Sequence, residues 1–319
     1  MLLPLRLKYK LLGKDNPLKG AVLVELNKRN LLISLAYVVP ALIFMLVLIG
    51  YPLFYNIKIS FQHLDLMTLN NPDFAFAGLE NYRKVIGLDS FHIAFKNTFF
   101  FTFWSIFLQF TIGFALALFF NMKFRLAGFL RGLTLVSYLV PIVITSLLFK
   151  FMFNQSVGII NYILLSFGFV DQPIEWLTHP ELAMWSVIIA NVWVGAPFNM
   201  MLLSTGLSSL PDDIYEAASI DGANKFKQFV YMTLPMLRPV IMIVIMMGFI
   251  FTFKVFDLIF VMTAGGPVNA TEVLSTLAYK LSFDQFNFSQ GAAASNILFF
   301  ILFIVSLIYL RMVRSDEVM

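Results

Sequence analysis

The sequence has no cysteine among its 319 residues. That excludes disulfides, a thiolate nucleophile and any Cys-ligated metal, although it leaves the redox compartment open. Charge is scarce as well. Asp, Glu, Lys and Arg make up 13% of the chain, about half of their share in a soluble domain. Histidine is rarer still, and His63, His92 and His179 lie far apart, so no metal site is expected. There is no G-x-x-x-x-G-K-S/T loop to cradle a nucleotide. No Ser/His/Asp set or pair of carboxylates falls within the apolar segments. No catalytic residue, bound cofactor or nucleic-acid partner is therefore expected of this chain. What it has in excess is apolar surface: 60% hydrophobic residues, 37 of them Phe, and a mean hydropathy of +0.84. One soluble core cannot hide that much. An ordinary cytosolic enzyme, a disordered chain and a secreted disulfide scaffold are all excluded.

A helix needs roughly 20 apolar residues to cross a bilayer. Asn30–Ile57, Asn97–Met122, Leu182–Pro211 and Gln285–Leu310 contain no charged residue. Gly132–Asn154 contains only Lys150, and Pro239–Met262 contains Lys254 and Asp257. Six spans are predicted, near 31–55, 97–121, 133–154, 182–204, 239–262 and 289–311. The runs are solidly apolar rather than alternating, which selects helices over a β-barrel. The predicted fold is an all-α polytopic membrane protein of six transmembrane helices. It divides into a basic segment (1–30), a six-helix transmembrane domain (31–312) with a long loop at about 205–238, and a short tail (313–319).

Basic residues set the orientation. Arg6, Lys8, Lys10, Lys14, Lys19, Lys28 and Arg29 precede the first span. Lys123, Arg125 and Arg131 lie between spans two and three, Lys225, Lys227 and Arg238 between four and five, and Arg311 and Arg314 follow span six. These total fifteen, against five on the other side: Lys58, Arg83, Lys84, Lys96 and Lys280. The positive-inside rule then puts both termini in the cytoplasm. The loop 155–181, with acids but no Lys or Arg, falls outside. The N-terminal apolar run is too long for a signal-peptide core, and no A-x-A site follows it. It reads as an anchoring first span. The basic stretch before it is either an interfacial helix on anionic lipid or a solvated tail.

The predicted cytoplasmic loop after span four reads Ser208-Ser209-Leu210-Pro211-Asp212-Asp213-Ile214-Tyr215-Glu216-Ala217-Ala218-Ser219-Ile220-Asp221-Gly222-Ala223. Pro211 suits a helix start, and Asp212 and Asp213 favour the positive end of its dipole. Glu216, Ala217 and Ala218 are good helix formers, and Gly222 suits a C-cap with positive φ. A second helix follows from about Lys225 to Met232, with Pro235 and Pro239 expected to break the chain before span five.

The run Glu216-Ala217-Ala218, then Asp221-Gly222-Ala223, then Leu234-Pro235, resembles the EAA loop of bacterial ABC importer permeases. Further motifs extend the resemblance from about residue 33 to 312: Phe76-Ala77-Gly78-Leu79-Glu80-Asn81-Tyr82, Gly158-Ile159-Ile160-Asn161, Asn191-Val192-Trp193-Val194-Gly195-Ala196-Pro197-Phe198, Thr263-Ala264-Gly265-Gly266-Pro267 with Thr271-Glu272, and Phe288-Ser289-Gln290-Gly291-Ala292-Ala293-Ala294. Together they point to the sugar-import (MalF- and UgpA-like) subfamily. The resemblance implies a plasma-membrane protein of a bacterium or archaeon. Its partners would be a second permease in a heterodimer, two cytoplasmic ATPase subunits that bind ATP and Mg, an external solute-binding protein and membrane lipid. It also implies that Glu216, Ala217, Ala218, Asp221 and Gly222 form a coupling helix docked on an ATPase. The basic N-terminus is longer than the family pattern.

A sugar path needs aromatic faces and a few polar groups. Gly248, Phe251, Thr252 and Val255 fall on one helical face of span five. By resemblance, that face and Gly195/Phe198 match positions lining the sugar site of maltose-type permeases, with Asn191 and Lys254 as further candidates. For Gly195, close packing of helices through a small residue competes with a lining role. Lys254 and Asp257, three apart, can pair on one face, either at the substrate path or as a structural pair between helices. An ion-coupled secondary transporter, a scaffold that transports nothing and an importer of glycerol-phosphate are the competing readings. The first lacks the internal repeats such proteins usually show.

Overall fold

The structure, a computed structural model, describes residues 28–68, 75–122 and 124–316. They form two compact units that divide after Asn56. In the first, α1 (Lys28–Met45) passes through a widened turn at Leu46–Gly50 into α2 (Tyr51–Ser60), which carries the chain into the second unit. Most of the predicted basic segment, residues 1–27, lies outside the described residues, and Lys28 to Asn30 already belong to α1.

The second unit contains α3 (Glu80–Ile86), α4 (Asp89–Asn121), α5 (Ala127–Leu139), α6 (Ile142–Met152), α7 (Ile159–Ser166), α8 (Pro180–Ser208) and α9 (Asp212–Ile220). Then follow α10 (Lys225–Phe253), α11 (Asp257–Met262), α12 (Leu274–Tyr279) and α13 (Phe288–Asp316). Leu35–Ser60, α4, α8, α10 and Phe288–Met312 are each long and apolar enough to cross a bilayer, and α5 with α6, bent sharply at their junction, are so only when taken together.

The pair α4–α8 is the axis of this unit. At about 1.5 Å per residue, α4 is longer than a bilayer core is thick. It therefore reaches all three clusters of buried apolar side chains, contributing Phe101 to one, Phe91 and Ala94 to the second, and Ala117 and Phe120 to the third. Its buried stripe runs Thr98, Phe101, Thr102, Ser105, Gln109, Gly113 and Ala117, while Phe99, Phe103 and Phe107 point outward. Lipid gives no hydrophobic drive between helices, so close approach through small residues takes its place. A Cβ on Gly113 would stand 2.6 Å from Asn199 Cβ and 2.9 Å from the Ala196 carbonyl. Arg131 Nη2 donates to the Phe120 carbonyl (2.8 Å) at the carboxyl end of α4.

Four predicted boundaries change. Span three is two helices meeting at 94°. Val140 is extended (ψ 130°) because Pro141 bars the residue before it from helical geometry. Span five begins at Lys225 and ends at Phe253, so Pro235 and Pro239 lie within a continuous helix rather than before it. The turn Phe229–Thr233 is widened to a π-turn directly ahead of Pro235, where the missing N–H interrupts the ladder. The long loop at 205–238 shrinks accordingly to residues 209–224 around α9. The last span runs on to Asp316, past the predicted tail boundary.

Most of the motifs on the side opposite this loop are stitching. Asn81 Nδ2 donates to the Ser60 and Gln62 carbonyls (2.9 and 2.8 Å), and Tyr82 Oη meets Ser60 Oγ at 2.8 Å. Beside them, Lys84 Nζ at 2.7 Å from exposed Glu80 holds that carboxyl below its usual range. Asn161 is fully engaged, donating to Gln155 and Ile174 carbonyls and accepting from Ile174 N–H and Trp176 Nε1. Buried Glu272 pairs with Lys280 against Gly265, which has φ +83° and where an added Cβ would overlap the Glu272 carboxylate.

Candidate functional site

All seven path candidates, Asn191, Gly195, Phe198, Gly248, Phe251, Thr252 and Lys254, line one cavity of about 370 Å³. That falls at the lower end of small-molecule pocket sizes. It lies between α4, α5, α6, α8, α10 and the start of α11, so residues from four segments far apart in sequence converge there. Its walls are aromatic. Phe198 stacks on Tyr138 (centroids 5.4 Å, 23°) and meets Phe251 edge-on (6.2 Å, 86°). Phe251 is 50% exposed.

Its floor is polar. Gln109 Nε2 donates to the Asn191 carbonyl at 3.0 Å. The Gln109 amide lies where a side chain on residue 195 would be, and a Cβ on Gly195 would overlap it. Gly195 thus serves both readings made of it: it packs and it lines. Asn191 is 5% exposed, and its Nδ2 has no hydrogen-bond partner. A buried amide donor without a partner costs about 1–3 kcal/mol. Asn199 completes the floor.

The pairing of Lys254 with Asp257 does not form. The helix stops at Phe253, so the i, i+3 spacing no longer places the two on one face. Each charge instead sits at a helix end of matching polarity: Lys254 caps the carboxyl end of α10, and Asp257 opens α11. Lys254 Nζ lies 5.7 Å from the Phe251 ring centroid, a cation–π contact. Val255 lies past the helix end and still lines the cavity. Trp193, grouped with Phe198 in sequence, is on another side. It contacts Phe149 and borders a separate apolar groove.

Gln109, Tyr138 and Asn199 are the site residues that sequence reasoning missed. The signal for Gln109 was present, since an amide in a Phe-rich span is expensive unless it faces the bundle interior.

The second candidate site is α9. Pro211 (ψ 130°) leads into it, with Asp212 and Asp213 in the first turn. Its end is a Schellman turn. Gly222 N–H donates to Ser219 O (3.1 Å), Ala223 N–H donates to Ala218 O (2.9 Å), and Gly222 has φ +80°. Glu216, Ala217 and Asp221 are exposed and Ala218 is half-buried. No residue of α9 is buried, and Ile220 is 87% exposed.

A bundle of apolar spans, a cavity between them and a short exposed helix on a spanning-helix hairpin define a membrane permease. The chain belongs to the family of binding-protein-dependent transport system inner membrane components, whose profile matches residues 109–314. It is an integral membrane protein. It is 34% identical over 290 residues to the trehalose/maltose transport system permease protein MalF of Thermococcus litoralis, covering 91% of this chain and 96% of that one. It is 28% identical to the sulfoquinovosyl glycerol transport system permease protein SmoG of Agrobacterium fabrum, covering 90% and 92%. A chain of a bacterial ABC transporter that imports the acidic polysaccharide alginate shares the fold, with a TM-score of 0.77 at 23% identity over 90% of this chain and 96% of that one.

Proposed function

We propose that this chain is one permease of a heterodimeric, ATP-driven importer of sugars or oligosaccharides. The cavity carries the reading. Tyr138, Phe198 and Phe251 offer ring faces to sugar C–H surfaces, while the partnerless Asn191 amide and Lys254 offer donors to hydroxyls. The relatives named for trehalose/maltose and sulfoquinovosyl glycerol support the substrate class. In this reading ATP and Mg bind two cytoplasmic ATPase subunits and an external binding protein delivers the sugar. The exposed α9, with Glu216 and Gly222, docks on an ATPase, and both termini of this chain are cytoplasmic. The reacting chemistry is elsewhere; this chain supplies half of the path.

The test is reconstitution of the full complex in vesicles with its binding protein, measuring uptake of labelled maltose, trehalose and glycerol phosphate. Uptake of a neutral sugar is expected, and Phe251→Ala should lower it about fivefold with the complex still assembled, in line with the loss of an aromatic contact worth about 1 kcal/mol. ATP-dependent uptake of glycerol phosphate alone would overturn the sugar reading. Wild-type uptake by Phe251→Ala would remove the cavity from the path.

A further inference from the structure

α9 has no buried residue, so it is not anchored by a side chain sunk into the core. What fixes it is a set of side-chain hydrogen bonds to the foot of α10. Tyr215 Oη meets Thr233 Oγ1 at 2.9 Å. The Gln228 amide is directed at the carboxyl end of α9, where Nε2 lies 2.8 Å from Ser219 Oγ, 3.2 Å from the Ala223 carbonyl and 3.4 Å from the Tyr215 carbonyl. Gln228 and Thr233 bracket the widened turn Phe229–Thr233, in which the Leu234 N–H reaches back to Phe229 O. A widened turn leaves one carbonyl outside the regular ladder. Here Thr233 Oγ1, 6% exposed, lies 3.4 Å from Gln228 O. The other tether of α9 is the connection Ser209–Pro211, which leaves α8 in an extended conformation at Pro211. The hydrogen-bonded grip is therefore on α10 alone.

We propose that Tyr215, Gln228 and Thr233 are positioning residues that lock α9 to α10, so that a displacement of α9 moves α10 and with it Gly248, Phe251 and Thr252 in the cavity wall. The distance from Thr233 to Gly248 is about four helical turns, and a continuous helix transmits a push along its axis. The inference rests on the reading of α9 as the ATPase-docking element.

The experiment uses the whole complex and needs no knowledge of the sugar. Because the chain has no cysteine, Gly248→Cys is a single reporter in the cavity; a Cβ there meets Ile106 only at 3.8 Å, ordinary contact. Its reaction rate with a soluble maleimide is measured with and without ATP–vanadate. The reporter is placed in the otherwise unchanged chain and in a chain with the near-isosteric pair Thr233→Val and Gln228→Leu. The unchanged chain should show a nucleotide-dependent rate change of about fivefold or more, the lower end of a typical coupling between two sites. In the double variant the change should collapse while the ATPase still co-purifies at full stoichiometry. Thr233→Ser, which keeps the hydroxyl, should restore it when Gln228 is present. The proposal is overturned if the double variant keeps the full rate change, or if it loses the ATPase instead, since the residues then serve docking or folding only. It is also overturned if the unchanged chain shows no rate change. Failure of the unchanged chain to retain an ATPase defeats the docking reading itself, and is seen separately in the co-purification.

Discussion

Two glycines show how much a missing side chain decides. At Gly222 the constraint is backbone conformation alone: φ is +80° and nothing lies within 4 Å of an added Cβ. A β-branched residue there costs about 1–2 kcal/mol from the left-handed conformation itself. Gly222→Val should therefore leave the bundle inserted with nearly unchanged thermal stability, yet misplace the end of α9 and reduce ATPase co-purification. Full retention by this variant would show that the Schellman turn is irrelevant to docking. At Gly195 the constraint is space. A side chain there displaces the Gln109 amide from the Asn191 carbonyl. Gly195→Val should close the cavity floor and lower uptake at least as strongly as Gln109→Leu, which is read by the same vesicle assay. Equal uptake by Gly195→Val and wild type would sink the floor assignment. The difference in legibility between these residues is physical. Gly222 announces itself because helix formers precede it and a C-cap follows from local sequence. Gln109 becomes a site residue only when α4 is laid against α8, a contact between residues 82 positions apart.

The elements follow the same logic. The apolar runs gave the existence and number of spans, because backbone groups in lipid must be satisfied within each segment. Their breaks were less legible. Pro141 bends span three by 94°, whereas Pro239 sits inside a continuous α10 and Pro197 inside a continuous α8. Composition does not separate these cases; neighbours that hold or open the ladder do. The end of α10 at Phe253 was hidden for a related reason, since Lys254 and Asp257 look like an ion pair in sequence and are two separate helix-end charges in space. Packing between elements makes its own prediction. Gly113→Val would drive a side chain into Asn199 and the Ala196 backbone, and overpacking of that kind costs about 1–3 kcal/mol. The purified protein should melt measurably lower. Gly132→Ala, on an exposed face of α5 with nothing within 4 Å of its Cβ, should melt at the same temperature or higher, because alanine is the better helix former. Equal melting of the two variants would mean that α4 and α8 do not approach as closely as described.

At the scale of the whole molecule, direction across the membrane has to come from charge, because the packed helices have no up or down of their own. In the topology expected from the sequence, fifteen basic residues fall on the side of α9 and five on the other. An arginine or lysine costs about 2.5–3.5 kcal/mol at the centre of a span on insertion scales, and the positive-inside bias acts on the short connections that carry these residues. The arrangement of the two sites depends on this direction. If the α9 side is cytoplasmic, an ATPase can reach Glu216, while the stitched segments around Asn81, Asn161 and Glu272 face the binding protein. If it is reversed, α9 meets no ATPase and the importer reading fails with it. The cysteine-free chain makes the test direct. Gln172, exposed in the acidic segment between α7 and α8, and Ser315, near the end of α13, lie on opposite predicted sides. In intact spheroplasts, Gln172→Cys should react with a membrane-impermeant thiol reagent and Ser315→Cys should react only after permeabilisation. The opposite pattern would overturn the orientation. Reaction of both before permeabilisation would place an even number of crossings between them, so that α8, α10 and α13 could not all span.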